Sequence, residues 1–350
     1  MKTDLRDQIQ KIPGPCLIFG AGGFIGFNLL NRILEYRRDV FGVFSNPKKN
    51  WRLKIKSPPL LNVVKCDIRE RGEVKRLISR IKPQTVINLC AYGAYSSQKD
   101  IDRIYQTNFN STYGLIEDLK MHGFKAYIHA GSQSEYGLNS NGPSEQSKLI
   151  PNSHYAVSKA ADYYLLKYYG KVENLPVVHL RLYSIYGPWE EPNRLIPTLI
   201  RETKKGKLPR FVDPDISRDF VYVDDVIEAM IIVAVRLSSW REFHKSKRPI
   251  GSKDAIASPG TVWNLASLQH DRIFGEAFNV ASGKKTTIRE LAHLVKKLFK
   301  IKAKPKFGSM KNRNWDLKDW YGNPNKMQKV FGWKAKTSLE EGLKRALTFV

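Results

Sequence analysis

Tyr155 and Lys159 stand four residues apart in Tyr155-Ala156-Val157-Ser158-Lys159. On a helix that spacing puts both side chains on one face, one turn apart. A free phenol ionises at about pH 10, too high for a base at neutrality. A neighbouring ammonium favours the phenolate and lowers that value. The lysine is also suited to holding a ribose hydroxyl. Such a pair needs a further hydroxyl to hold the reacting oxygen. Ser132 offers one, in Ala130-Gly131-Ser132-Gln133-Ser134-Glu135-Tyr136-Gly137.

A second constellation lies near the start of the chain. Gly20-Ala21-Gly22-Gly23-Phe24-Ile25-Gly26 spaces Gly20, Gly23 and Gly26 as G-x-x-G-x-x-G. One glycine makes a tight turn, one lets backbone approach a pyrophosphate, and one lets helix pack on strand. The helix beginning at Phe24 and Ile25 then turns its positive end to the phosphates. The residue that chooses between NAD and NADP is expected to end the second strand. Here that place holds Ser45, not an acid, with Lys48, Lys49 and Arg52 close behind. The missing acid tilts the reading to NADP over NAD and leaves both open. Asp67 and Ile68, after the third strand, suit a contact to the adenine ring. Cys90 and Ala91, ending the fourth, suit the cofactor's ribose and phosphate side.

These groups need a frame that gathers them. Short apolar runs at 15–20, 40–44, 85–90, 126–130, 177–183 and 276–280 read as strands, and 24–36 and 287–300 as helices. Strands alternating with helices predict right-handed βαβ units and a doubly wound parallel sheet. Ser132 follows the fifth strand, at the carboxyl edge of the sheet, where ligands bind in such folds. Between 238 and 273 the periodicity breaks around Pro249, Gly251, Pro259 and Gly260. That stretch reads as a long loop or an insertion.

The 350 residues are 42 % apolar and 11 % aromatic, enough for one large domain or two modest ones. Cys16, Cys66 and Cys90 are an odd, widely spaced set, which fits neither a disulfide framework nor a metal site. A reduced intracellular setting suits them. No run of about 18 apolar residues predicts a membrane span, and the charged first dozen residues do not read as a signal peptide. The formal charge is +26. Between Lys284 and Lys311 ten Lys or Arg face one Glu. A basic surface attracts phosphate, nucleic acid or anionic membrane; the alternative is a compositional bias with no partner attached. The second reading is preferred, and no nucleic-acid partner is expected.

Taken together, these segments resemble the extended short-chain dehydrogenase/reductases, in their nucleotide-sugar epimerase/dehydratase branch. The resemblance runs through Asn88-Leu89-Cys90-Ala91, Asn108, Ser132, Tyr155 and Lys159. It continues in Arg181-Leu182-Tyr183-Ser184-Ile185-Tyr186-Gly187-Pro188 and Arg218-Asp219-Phe220-Val221-Tyr222-Val223-Asp224-Asp225, then Phe278-Asn279-Val280-Ala281-Ser282-Gly283. It implies a Rossmann-type domain over 1–187, with 218–237 and 275–282 returning to it. It also implies a smaller nucleotide-sugar lobe from 188–217, 238–274 and 283–350. Tyr155 would be the acid/base, Lys159 its partner and Ser132 a donor to the reacting oxygen. Asn108 would support a proton relay or a helix kink, or simply cap a buried helix defect. Gln133, Ser184, Arg194, Leu195, Arg218 and Arg313 would contact the substrate, with Arg218 on the diphosphate. Asp316 would help there, while Trp315 and Trp320 would pack the core. A cytoplasmic homodimer acting on a nucleotide-diphosphate sugar is implied, with NAD or NADP as cofactor.

Two departures narrow the chemistry. Where 4,6-dehydratases of this family place acids after the Ser or Thr, this chain has Gln133 and Ser134. Neither can remove the C5 proton or protonate a leaving hydroxyl, and Glu135, one place on, is expected to point elsewhere. Ser184 replaces a usual Asn. Epimerisation through a keto sugar, oxidised and then reduced from the other face, ranks first. Reduction of a keto sugar by NADPH ranks second, dehydration lower. A non-catalytic redox sensor or RNA binder ranks last, because a regulator has no need of the Ser–Tyr–Lys set. On this reading Tyr155→Phe abolishes turnover and leaves cofactor binding nearly intact. Wild-type-like turnover of that variant would sink the mechanism.

Overall fold

The computed structural model describes residues 4–245, 273–310 and 317–347. Seven parallel strands form its central sheet: β1 (Cys16–Phe19), β2 (Val40–Phe44), β3 (Val63–Lys65), β4 (Thr85–Asn88), β5 (Ala126–Ser132), β6 (Val177–Leu182) and a late one, Ala277–Val280. In space β3, β2, β1, β4, β5 and β6 follow one another, and Ala277–Val280 closes the β6 edge. This is the doubly wound parallel sheet expected from the alternation. The order reverses between β1 and β4, so the crevice for a ligand opens at their carboxyl ends.

The period of two along each strand decides the two faces. Cys16 and Ile18 of β1 point to one apolar cluster with Ile87, Ile128, Val178 and Leu180. Against it pack α1 (Leu5–Lys11), α2 (Phe24–Leu34) and a long helix, Val223–Lys245. Leu17 and Phe19 point to the other cluster, with Val86, Tyr127 and Val177. That face is covered by helices Arg71–Ile81, Ser111–Lys120 and His154–Lys171. A third apolar cluster joins Tyr186, Ile196, Leu199 and Ile200 to Phe211, Leu291, Val295 and Leu343. Two short strand pairs accompany it, Ser184–Tyr186 with Phe220–Tyr222 and Ser217–Arg218 with Thr286–Thr287.

Regular structure does not stop at Ser238 as the sequence suggests; the helix begun at Val223 continues to Lys245. The Ser238 and Ser239 hydroxyls donate to the carbonyls of Val235 and Arg236. They are thereby satisfied inside a helix they would otherwise disfavour. Most of the 238–274 stretch, together with Arg313, Trp315 and Asp316, lies outside the described residues. Among the described residues no helix is long and apolar enough to cross a membrane, and the three cysteines are free thiols.

The turn from β1 into α2 shows why its glycines are needed. Gly20 has φ +78°, and a Cβ there would lie 2.8 Å from the Leu89 carbonyl carbon after β4. A Cβ on Gly26 would lie 2.3 Å from the Gly20 carbonyl oxygen. Backbone therefore meets backbone at both places, and any side chain would force the helix off the strand. Gly26→Ala is expected to cost about 1–3 kcal/mol, as overpacking does. It should lower the thermal midpoint and weaken nucleotide retention together; an unchanged midpoint would contradict the close approach.

Candidate active site

A cavity of about 690 Å³ opens at the carboxyl edge of the sheet and runs on into a second of about 330 Å³. Gly20, Gly22, Gly23, Leu89 and Ala91 border both. The smaller is bordered by Ser45 and Asn46 after β2, Asp67 and Ile68 after β3, and Cys90 and Ala91 after β4. Phe24, Ile25 and Gly26, opening α2, border the larger. Gly23 at the helix start has no side chain to cap the first turn, so the first N–H groups remain available to a phosphate. A dinucleotide fits this cradle: a glycine turn, an uncapped helix start, and a second cavity ending in polar side chains. Lys48 lies outside it, exposed on the short helical turn Pro47–Lys49.

Two arginines near Ser45 are engaged elsewhere. Arg52 is buried and donates to the carbonyls of Trp189 (2.7 Å) and Gly22 (3.1 Å) and to Glu191 (3.0 Å). Arg69 grips Asp67 through two nitrogens, and the Arg69 guanidinium holds the Asp67 carboxyl below its usual range.

Ser132, Tyr155 and Lys159 all border the larger cavity. Ser132 ends β5, and Tyr155 and Lys159 lie on the first turns of helix His154–Lys171, whose start is capped by the Ser153 hydroxyl. Lys159 is almost wholly buried, and its Nζ donates to the Ala130 carbonyl at 3.0 Å. The same nitrogen lies 3.3 Å from His129 Nε2 and 3.6 Å from Asp162. Helix and strand are thus tied together at the cavity wall, since Ala130 and Lys159 both border it.

Asn108 does not border either cavity. It sits in a π-helical stretch, Gln106–Asn110. Its Oδ1 accepts from Tyr92 N at 2.8 Å, and its Nδ2 donates to Tyr92 O (3.0 Å) and Ser158 Oγ (2.8 Å). Ser158 in turn donates to the Tyr155 carbonyl at 2.8 Å. Both amide protons are spent, so Asn108 pins the loop after β4 to the helix carrying Tyr155.

The sugar-side candidates are divided between the cavity wall and positions away from it. Gln133, Ser184 and Arg194 border it. Gln133 Oε1 is buried without a hydrogen-bond partner. Arg194 lies between Tyr95, whose ring is 5.4 Å from the guanidinium, and Glu190 at 3.6 Å. Leu195, first residue of the helix Leu195–Thr203, packs against the third apolar cluster and does not border the cavity. Arg218 does not border it either; it donates to the Ser217 carbonyl and faces the Trp320 ring at 5.8 Å. Trp320 is buried, as a packing residue should be, and it also borders the cavity. Asp219, beside Arg218, accepts from Ser282, Gly283 and Gly322.

Sequence reasoning missed several neighbours of the cavity. Glu190 is one: burial pushes its carboxyl up to about 8, and Oε2 has no hydrogen-bond partner. Glu135 points away from the cavity, the direction the sequence reading expected; what that reading did not supply is its partners. It lies wholly buried beneath Ser132, accepting from Ser132 N (2.7 Å) and Arg181 Nε (2.7 Å), with His179 Nε2 also at 2.7 Å. It therefore turns away from the cavity. Burial alone would raise its pKa, but His179 and Arg181 outweigh it and hold the carboxyl at about 2. A histidine within the apolar strand Ala126–Ser132, and another in β6, were the available signals.

Comparison with known proteins adds a lineage. Residues 16–243 match the profile of the NAD dependent epimerase/dehydratase family. A trifunctional UDP-glucose 4,6-dehydratase/UDP-4-keto-6-deoxy-D-glucose 3,5-epimerase/UDP-4-keto-L-rhamnose-reductase of Arabidopsis thaliana is 25 % identical over 354 residues. The alignment covers 96 % of this chain and 46 % of that protein, so the chain spans about half the length of such relatives. UDP-glucuronate 4-epimerase 1 of the same plant is 27 % identical over 353 residues, covering 97 % of this chain and 77 % of the relative. In fold, the chain is similar to UDP-glucuronic acid 4-epimerase from Bacillus cereus, solved with UDP-glucuronic acid and NAD. The TM-score is 0.74 at 24 % identity, over 95 % of this chain and 98 % of that one.

The Glu135 cluster makes a stability prediction. A carboxyl held at about 2 when folded, against an ordinary value of about 4.3, favours the folded state at neutral pH. That contribution is full above the unfolded value and is lost as pH falls towards the folded one. Glu135→Gln leaves Arg181 without its buried counter-charge, a loss on the order of 3–5 kcal/mol. In urea titrations the gap between wild type and E135Q should hold steady from about pH 7 to 5 and narrow by about pH 3. A gap that stays constant into acid would contradict the ion pair.

Proposed function

Because the chain belongs to the NAD dependent epimerase/dehydratase family, we propose that it is a nucleotide-sugar epimerase. It would oxidise a ring carbon of the sugar transiently and reduce it again from the other face. One observation carries this reading: Ser132, Tyr155 and Lys159 border the same cavity as the glycine turn, and the residues after Ser132 are Gln133 and Ser134. That set holds a hydroxyl and moves its proton, and it contains no acid beside Ser132 to expel water from C5–C6.

In this reading the β1–α2 turn holds the dinucleotide's phosphates, and Asp67 and Ile68 take the adenine side. When bound, the nicotinamide exchanges a hydride with the sugar carbon. Tyr155 takes the hydroxyl proton as the carbonyl forms and returns it on reduction, while Ser132 holds the oxygen throughout. Lys159 would hold the nicotinamide ribose. Gln133, Ser184 and Arg194 contact the sugar nucleotide. We assign NAD, not NADP: Lys48 stands outside the cavity, and Arg52 and Arg69 are committed to Glu191 and Asp67. The relatives named for UDP-sugars make a UDP-hexose or UDP-hexuronate the substrate class to try first.

We assign residues 1–187, with 218–237 and 275–282, to the cofactor half, and the remainder to a substrate lobe; the third apolar cluster draws most of its residues from that lobe, with Tyr186, Phe220 and Tyr222 reaching it from the cofactor half. A homodimer fits as well. Val157, Tyr164, Tyr168 and Val172 form an exposed apolar stripe along the helix that carries Tyr155. Such a stripe suits helix pairing between two copies.

The test is to denature purified protein and identify the released nucleotide by mass. Refreshed protein is then incubated with UDP-glucose and UDP-glucuronic acid, and the products are resolved by chromatography. Retained NAD, with conversion to the epimer and no net NADH, is the expected result. An empty site that binds NADPH and consumes it against a keto sugar would overturn the proposal in favour of a reductase.

A further inference from the structure

Behind Tyr155 and Lys159 lies a layer of buried polar groups that the proposed reaction does not touch. His129 on β5 and Asp162, one turn beyond Lys159, are wholly buried. His129 Nε2 lies 3.1 Å from Asp162 Oδ2 and 3.3 Å from Lys159 Nζ. Asp162 Oδ2 is 3.6 Å from that same nitrogen. The other face of the imidazole is engaged as well. His129 Nδ1 lies 3.4 Å from the Tyr127 hydroxyl, which accepts from Asn88 Nδ2 at 3.2 Å. Tyr127, His129, Asp162 and Lys159 thus form one continuous set of buried polar contacts.

We propose that Asp162 and His129 are positioning residues: a buried carboxylate–imidazole couple that keeps Lys159 charged and, through it, sets the ionisation of Tyr155. This rests on the acid/base reading of Tyr155 and Lys159 given above. An ammonium with almost no exposure loses its hydration, and without a counter-charge it sheds its proton. Asp162 supplies that charge. Its second oxygen, Oδ1, is buried without a hydrogen-bond partner, so its contacts converge on Oδ2. Burial pushes Asp162 up to about 7, which puts loss of the counter-charge within the neutral range. Burial, followed by the charge of Lys159, keeps His129 neutral.

Other groups face the trio without competing for the role. From β6, His179 stacks on His129 at 5.4 Å and 11°. Its Nε2 is turned to Glu135, whose other oxygen is held by Arg181. From the end of β4, burial pushes the Cys90 thiol up to about 12, so it carries no charge near neutrality. On the helix itself Tyr163 packs against His179 and Arg181.

The experiment follows Tyr155 directly and needs no substrate. Tyrosines are labelled with 13C at Cζ in the purified protein, and the Tyr155 resonance is assigned by its loss in Tyr155→Phe. Its titration midpoint is then measured in wild type, Lys159→Met, Asp162→Asn and His129→Leu. Lys159→Met should raise the midpoint; if it does not, the acid/base reading fails, and this inference with it. Given that rise, Asp162→Asn should raise the midpoint by about one pH unit or more, since the lysine loses its counter-charge. His129→Leu should move it in the same direction by less, and decides the matter alone if the Asn variant does not fold. An unmoved or lowered midpoint in the folded variants, beside a raised one in Lys159→Met, overturns the proposal and leaves the acid/base reading standing.

Discussion

The carboxyl edge of the sheet is organised around one buried carboxylate. Glu135 accepts the Ser132 backbone N–H, faces His179 and pairs with Arg181, all within 2.7 Å. A lone carboxylate buried this deeply would be strongly disfavoured. It is tolerated because donors from two adjacent strands surround both of its oxygens. Arg181 continues the pattern, donating to the Tyr136 hydroxyl, which donates to Asn279 on the edge strand. Three strands and the turn after β5 are thereby joined by polar contacts at the place where Ser132 must be held still. Such a network stabilises chiefly by specificity: it is worth little as net energy against an apolar core, and breaking one member is costly.

Much of this was legible in the chain. The glycine spacing and the Tyr155–Lys159 pair are local signals, each readable within ten residues or fewer, and the strand alternation is a pattern repeated along the chain. They led to the parallel sheet and to the carboxyl edge as the site. Long-range placement was less legible. Arg218 and Leu195 sit in motif-like segments, yet neither side chain borders the cavity, because their elements pack towards the third apolar cluster. Lys48 is near Ser45 in sequence and outside the cavity in space. Trp320 is buried, in keeping with a packing role, and the fold also brings it to the cavity.

The polar interior was the hardest part to read. A histidine in a buried strand looks like an isolated oddity, and His129 and His179 stand fifty residues apart. Only strand pairing, which sets His129 opposite His179, makes them neighbours. Asp162 follows Lys159 by one helical turn and was readable in principle, since residues three apart share a face. Nothing in the sequence, however, says that this face is the one turned inward.

Gly131 carries a consequence for how this protein can change. A Cβ there would lie 2.1 Å from His179 Nε2 and 2.5 Å from Glu135 Oε1. No side chain larger than hydrogen is compatible with both partners in place. Positions 131, 135 and 179 are therefore mutually constrained: alanine at 131 becomes acceptable only after both of the other two have given way. Replacing Glu135 in turn strands Arg181. Single substitutions here lead downhill in every direction, so the cluster can be exchanged for an ordinary apolar core only by several coordinated steps. The interior of the sheet edge is in that sense a historical trap, harder to leave than to maintain.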